Sequence, residues 1–433
     1  MNISGIKSVT SKFGGKLRSL VPQKIKNYAV HLPRAFLAAL FYRFPAQKMT
    51  VIGVTGTDGK TTTVSLIYQI LNQAGKKTAM ISTVSAVIGK EEIDTGFHVT
   101  TPNPWKLQEI VRKMADSKIK YLVLEVTSHG LDQFRLWGIP FEIGVLTNVT
   151  REHLDYHKTY ENYLATKAKL LCSAQVAILN KDDQSYNFFK LKIGDWFSKV
   201  ITYGIKSEAD FTPKKFKFET RLPGVYNQYN CLAAIAAASQ LKIPQKTIKA
   251  AVLSFEGVVG RMQEIKEGQD FQVFIDFAHT PNALEQVLGF LKSFKPANSR
   301  LIVVFGAAGL RDTQKRPLMG EIATKLADLA VLTAEDPRTE KVEEIINQIS
   351  GGCQKAGGKE NETFYRQTDR REAINFAIQK LARKGDLVVV CGKGHEKSMC
   401  FGQVESPWSD EKAVRTALEE RKTSQRRQNE IVF

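Results

Sequence analysis

No acidic residue precedes Asp58, although nine lysines and arginines do. That block carries half of a formal charge of +18. An unopposed basic stretch is either a solvated arm or, joined to the apolar run Phe36-Leu37-Ala38-Ala39-Leu40-Phe41, an amphipathic helix that docks on the protein or touches anionic lipid. Cysteine is scarce as well. The five present form no C-x-x-C pair and no paired ligand spacing, so neither a disulfide framework nor a structural zinc site is indicated, and a reducing cytoplasm fits best. No apolar run reaches the roughly 20 residues that a bilayer requires, and the longest candidate, Ala35 to Tyr42, is closed by Arg43. Also missing are a secretory h-region with its small-residue cleavage site, an internal repeat, and a recurring basic motif interleaved with aromatics. Nucleic acid is therefore not an expected partner; a transit peptide is not excluded by the same argument.

What is present is an ordinary soluble composition, 43% hydrophobic over 433 residues, enough for two or three domains. From residue 47 onward, apolar β-rich runs alternate with helical periodicity, the pattern of a mostly parallel sheet covered on both faces. Strands are expected at Thr50–Val54, Thr78–Ile88, Tyr121–Val126, Ile143–Asn148, Val176–Asn180 and Val200–Tyr203, with helices starting near Gly59, Pro104, Tyr160 and Asn227. A second alternation follows Gly260. Its strands are Val273–Phe277, Leu301–Phe305, Leu329–Thr333 and Leu387–Cys391, its helices lie near 281–293, 317–327, 341–350 and 369–383, and polar Gly351–Glu362 reads as a loop. The fold class is α/β: a P-loop ATPase domain over 47–255, a Rossmann-like domain over 256–433, and a basic segment over 1–46.

The chemistry begins at Val51 to Thr63, an apolar strand, a glycine-rich bend and Lys-Thr opening a helix. Gly56 and Gly59 let backbone N–H groups curl around an anion; Lys60 can reach outer phosphates, and Thr61 can offer its hydroxyl to Mg²⁺. ATP or GTP is the expected nucleotide. The loop departs from the usual phosphate-binding spacing, because Val54 stands where glycine is required and Gly56 replaces it. Glu125 closes the strand Tyr121-Leu122-Val123-Leu124-Glu125, at the sheet edge where a second Mg²⁺ ligand belongs. Thr147 to His157 then gathers acids, imidazoles and Arg151; His153 could ligate a metal or simply sit in the core. Lys167, on a helical run, reads from pattern alone as a solvated lysine.

Together these stretches carry a resemblance. The loop Gly56-Thr57-Asp58-Gly59-Lys60-Thr61-Thr62, Glu125 to Leu131, Thr147 to His157 with Tyr163 to Lys167, Leu222 to Asn230, Gly260-Arg261-Met262, Ile275 to Pro281, Gly309 to Gly320, Asp336 to Glu340 and Gly392 to Glu396 resemble the Mur ligases, over about residues 47 to 420. The closest branch is that of the tripeptide synthetases of the cell-wall stem peptide. The resemblance implies an amide ligase in which ATP phosphorylates a carboxylate and an amine displaces the phosphate. It also implies roles. Gly56 to Thr62, Asn230, Arg261, Asp276 and His279 would hold the nucleotide; Thr61 and Glu125 would hold one Mg²⁺; His153 and a carbamylated Lys167 a second. Lys60, His153 and Lys167 would be the catalytic set.

For substrates the resemblance implies a muramoyl-peptide acceptor at Thr100, Thr101, Ser128 and Arg151, and an incoming amino acid at Arg311, Asp336, Arg338, Gly392 and Glu396. Arg338 would address a carboxylate of meso-diaminopimelate by bidentate bonding and Glu396 its distal ammonium. Two departures stand out. Glu335-Asp336-Pro337-Arg338 replaces Asp-Asn-Pro-Arg, so Asp336 puts a carboxylate where a carboxamide faces the amino acid, and the identity of that amino acid stays open. Asp58 for Asn in the phosphate loop is milder. In addition, the family's uridine-binding domain has no counterpart in the 46 residues before the strand leading into the loop. The acceptor would then be gripped by peptide and sugar alone, as a lipid-linked precursor near a membrane, or would be no UDP-sugar, as in the folylpolyglutamate synthetases. The remaining expectations are a cytoplasmic monomer with peripheral membrane contact through its basic segment.

Overall fold

The computed structural model describes residues 22–89, 91–93, 101–194 and 199–431. Two sheets dominate. The first has eight strands in the order β4-β3-β2-β5-β1-β6-β7-β8, namely β1 Thr50–Thr55, β2 Thr78–Ile81, β3 Ala86–Ile88, β4 Glu91–Ile93, β5 Tyr121–Glu125, β6 Ile143–Leu146, β7 Val176–Asn180 and β8 Lys199–Tyr203. All pairings are parallel except β2–β3 and β3–β4. The central strands are almost wholly apolar because helices cover both faces of a parallel sheet, leaving no side to solvent. Helix Lys60–Gln73 packs with Val225–Gln240 on one face, and Pro104–Asp116 with Tyr160–Ser173 lies on the other.

The second sheet has six strands in the order β13-β12-β11-β14-β10-β9, with β9 Gln263–Ile265, β10 Gln272–Asp276, β11 Leu301–Phe305, β12 Leu329–Leu332, β13 Phe364–Arg366 and β14 Leu387–Cys391. Only β9 runs antiparallel. A hairpin, β15 Ser398–Phe401 and β16 Val404–Pro407, stands apart.

Two expectations need correction. Thr78–Ile88 is not one strand but a hairpin, because Ser82 closes a turn by donating both its N–H and its hydroxyl to the Ser85 carbonyl. And Gly351–Glu362 is not all loop: helix Val342–Lys355 runs through its first five residues. Gly352 and Gly320 explain that helix. A Cβ at Gly352 would lie 1.9 Å from the Pro317 carbonyl, and one at Gly320 2.1 Å from that of Ile349, so two helices pack closer than any side chain allows.

Both sheets present their carboxyl edges to a common crevice. In the first, β1 is flanked by β5 and β6, and Val54 is in register with Glu125, so the loop after β1 opens at a point where the strand order changes direction. In the second, β10, β11, β12 and β14 end at Asp276, Phe305, Leu332 and Cys391, just before most of the candidate residues.

Candidate active site

The loop after β1 is shaped by absent side chains. Gly59 holds φ +80, and a Cβ there would sit 2.2 Å from Asn230 Oδ1; at Gly56 a Cβ would meet Thr147 Oγ1 at 1.8 Å. The loop is tied to the end of β6: the Asp58 N–H donates to Asn148 Oδ1 at 3.0 Å, and Thr147 Oγ1 donates to the Asp58 carbonyl at 2.7 Å. Lys60 folds back, its Nζ donating to the Thr57 carbonyl at 2.7 Å, and burial lowers its pKa. This is a cradle for an anion at the N-terminus of helix Lys60–Gln73, where the dipole adds positive potential.

Beside the cradle, Thr61 Oγ1 donates to Glu125 Oε2 at 3.0 Å. The hairpin turn found above has a purpose here: Thr83 donates to both oxygens of Glu125, through its N–H at 2.9 Å and its hydroxyl at 2.8 Å. One carboxylate and one hydroxyl suit Mg²⁺, which keeps water and phosphate for its other positions. Among the described residues no three His, Cys, Asp or Glu side chains converge as an all-protein metal cage. His153 follows, in a left-handed backbone conformation (φ 57) that non-glycine residues rarely adopt. Burial, then the charges of His129, Lys167 and Lys60, hold its pKa well below the usual value, leaving a neutral imidazole with a lone pair to offer.

Lys167 is not solvated. It is buried, its Nζ donates to the Gly56 carbonyl at 2.7 Å, and it lies 4.4 Å from the centre of the Tyr163 ring. Burial and the nearby Lys60 charge hold its pKa well below the ordinary lysine value.

From the second sheet, Arg261 Nη2 reaches Thr61 Oγ1 at 3.4 Å, and Asn282 Nδ2 donates to Asp58 Oδ2 at 2.7 Å. Asp276 is buried and accepts the N–H groups of Met262 and Ala278, both at 2.7 Å; burial raises its pKa. The His279 carbonyl accepts Lys315 Nζ at 2.8 Å, and burial, then the Lys315 charge, keep the imidazole neutral. A cleft of about 420 Å³ joins the halves, lined on one side by Lys60, Glu125 and His153 and on the other by Arg311, Asp336, Arg338 and Glu396. Arg338, like His153, is left-handed (φ 53). Behind it the fully buried Lys393 bridges Asp336 at 2.8 Å and Glu396 at 2.5 Å. Burial pushes the Glu335 carboxyl up to about 7, and its Oε2 has no hydrogen-bond partner.

A second cavity of about 380 Å³ opens behind the loop, lined by Gly59, Thr61, Thr62, Asn230, Arg261 and Asp276 among others. Asn230 is oriented by Asn227, whose Oδ1 accepts its Nδ2 at 3.0 Å. Not every candidate faces these spaces. Thr101 is buried and bonds Thr127 Oγ1 at 2.9 Å, Ser128 pairs with His157 Nε2 at 3.0 Å, and Gly392 backs onto Glu335. Arg151 is exposed and lines neither cavity. Thr100 lies outside the described residues.

Several lining residues carry no signal from spacing. Thr83 sits in a turn that the sequence reads as strand, and Arg135, which lines the cleft, comes from an irregular segment after β5. Glu152 and Lys315, buried and 3.8 Å apart, pair across the two halves. Such a pair is visible only once the chain is folded.

Comparison with known proteins finds the Mur ligase middle domain over residues 54–238 and the Mur ligase, glutamate ligase domain over 260–394. A UDP-N-acetylmuramoyl-L-alanyl-D-glutamate–2,6-diaminopimelate ligase of Caldanaerobacter subterraneus is 38% identical over 405 residues, 89% of this chain and 81% of the relative. A solved structure of an enzyme of the same name is 32% identical with TM-score 0.59, covering 89% of this chain and 82% of that one. Escherichia coli FolC in complex with DHPP and ADP shares the fold, at 21% identity and TM-score 0.66, over 83% of this chain and 89% of its own.

Proposed function

The chain belongs to the Mur ligase family, and from that premise we propose an ATP-dependent, ADP-forming ligase that joins an amino acid, meso-diaminopimelate, to a UDP-N-acetylmuramoyl-dipeptide-type precursor of peptidoglycan. One observation carries this reading: the Thr61–Glu125 pair beside an anion cradle faces, across a single cleft, the Arg311, Arg338 and Glu396 side chains of the other half. In the proposed reaction the acceptor carboxylate takes the γ-phosphoryl group of ATP, leaving ADP. The amine of the incoming amino acid then attacks that carbonyl, and phosphate and a proton depart.

The chain's own groups divide the work. Loop amides and Lys60 hold phosphoryl oxygens, so Lys60 must exchange its bond to the Thr57 carbonyl for one to phosphate. Thr61 and Glu125 would hold one Mg²⁺ and His153 a second; the metal supplies charge neutralisation on the phosphates. Asn230, Arg261, Asp276 and His279 would bind the nucleotide, and Thr100, Thr101, Ser128 and Arg151 the acceptor. Arg311, Asp336, Arg338, Gly392 and Glu396 would form the amino-acid pocket. Lys167 is proposed to carry a carbamate: a buried neutral amine can add CO₂, forming an N–C bond with loss of a proton, which turns a lysine into an oxygen ligand. Its depressed pKa supports that step. The proposed division of the chain is 1–46, 47–255 and 256–433, acting as a cytoplasmic monomer that touches the membrane through the first of these. No described helix is long and apolar enough to cross a membrane.

The test is direct. Purified chain is incubated with ATP, Mg²⁺, UDP-N-acetylmuramoyl-L-alanyl-D-glutamate and a panel of amino acids, and product mass and phosphate release are read together. A product heavier by one diaminopimelate residue is expected; product with a folate acceptor and none with the muramoyl-dipeptide would sink the proposal.

A further inference from the structure

The segments Gln23–Lys26, Asn27–His31 and Leu32–Phe41 follow one another as one helical run. Its inner side is small and specific. Ala35, Ala38 and Ala39 are buried, Asn27 Nδ2 donates to Asp132 Oδ2 at 2.6 Å, and edge-on ring pairs fix Tyr28 to Phe134 at 5.2 Å and Phe36 to Trp137 at 5.0 Å. Its outer side is apolar: Ile25, Leu37, Leu40 and Phe41 are each more than half exposed. Among the described residues, seven of the sixteen large exposed hydrophobics fall between Ile25 and Phe41, which makes them a patch rather than scatter.

Charge identifies what would cover it. Lys24, Lys26, Arg34, Arg43 and Lys48 flank the patch, and this stretch has no carboxylate of its own. Of the carboxylates on segments packed against it, Asp132 is already bonded by Asn27, Tyr156 and Lys169, and Glu109 and Asp116 pair with Lys106 and Arg112. An apolar protein surface would satisfy the patch but leave those cations unanswered. An anionic lipid surface answers both, with headgroups for the cations and the acyl boundary for the side chains.

Position gives the contact a use. Phe134 and Trp137, on which the run rests, bracket Arg135, whose Nη1 donates to the Thr101 carbonyl at 2.6 Å and which lines the cleft. We infer that Gln23 to Phe41 lies in the plane of an anionic bilayer interface, with Leu37, Leu40 and Phe41 at the acyl boundary, and so holds the acceptor side of the cleft at the membrane surface. This deepens the membrane contact proposed above and is independent of which amino acid is joined.

Flotation with lipid vesicles tests it. The chain is expected to float with mixed phosphatidylglycerol and phosphatidylcholine vesicles at least about tenfold more than with phosphatidylcholine alone, and less at high salt, because the electrostatic share is screened. Leu37→Glu with Leu40→Glu should abolish flotation while leaving its thermal melt and its phosphate release with a soluble acceptor unchanged. Three results would overturn the inference: no flotation of the unaltered chain, undiminished flotation of the double variant, or lipid-free self-association that the same substitutions dissolve. Phosphate release is read separately, so a failed ligase assay and a failed flotation remain distinct.

Discussion

Lys167 Nζ donates to the carbonyl of Gly56 at 2.7 Å, joining the middle of one helix to the first turn of the phosphate loop across 111 residues of chain. Burial, then the nearby Lys60 charge, hold its pKa well below the ordinary lysine value, which favours the nucleophilic amine over the cation. Lys167→Ala is expected to lower turnover by on the order of a hundredfold or more, as loss of a charge-stabilising group at the transferred phosphoryl does. A short-chain carboxylate should restore part of that loss, whereas bicarbonate should not. Labelled bicarbonate should give a carbamate signal in the parent chain alone; full activity in the variant would defeat the carbamate.

Gly59→Ala tests the cradle. With φ +80 and a Cβ only 2.2 Å from Asn230 Oδ1, the alanine must distort the loop or displace the asparagine. Nucleotide affinity by calorimetry should fall at least about tenfold, or 1.4 kcal/mol, with the fold intact by circular dichroism.

Asp336→Asn addresses the choice of amino acid. Two carboxylates, Asp336 and Glu396, contact the buried ammonium of Lys393, and Asp336 adds a negative charge where the amino acid would sit. The amide removes it. The ratio of kcat/KM for diaminopimelate over lysine should rise by about tenfold, since repulsion of a substrate carboxylate is relieved; an unchanged ratio would show that Asp336 does not set selectivity.

Glu335 predicts a pH dependence. Burial raises its carboxyl from 4.5 to about 7, so between those values the folded chain keeps a proton that the unfolded chain has lost. Stability from this group is full below pH 4.5 and declines as pH rises toward 7. The melting temperature of Glu335→Gln, compared with the parent across that range, should lack this decline.

Arg370 and Asp410 form a two-pronged ion pair, the closer contact 2.7 Å, with neither side chain exposed. Arg370→Met should cost about 3–5 kcal/mol because Asp410 is left buried and unpaired. Adding Asp410→Leu should recover most of the lost melting temperature.

Much of this was legible in one dimension. β7, β11 and β14 lie where their apolar runs predict, because strands buried on both faces leave an unbroken hydrophobic record. The helix that begins at Lys60 and the carboxylate at Glu125 were readable because a glycine-rich bend and a strand end are local features. What stayed hidden depends on distance in the chain. The depressed pKa of Lys167 follows from burial by distant segments, and Thr83 matters only because a four-residue turn aims it at a strand that begins thirty-eight residues later. Short strands such as β9 and β13, three residues each, are specified by their neighbours rather than by their own composition.

The bonds from Asn282 to Asp58 and from Arg261 to Thr61 bear on timing. The cavity behind the loop has walls from both halves, with Asn230 and Tyr226 on one side and Asn282 and Val287 on the other. In the proposed function the nucleotide occupies that cavity, and parting its walls breaks both bonds. A substitution at Asn282, which touches no reacting atom in the proposed chemistry, removes one of the two bonds and is expected to show itself first as a faster escape of ADP.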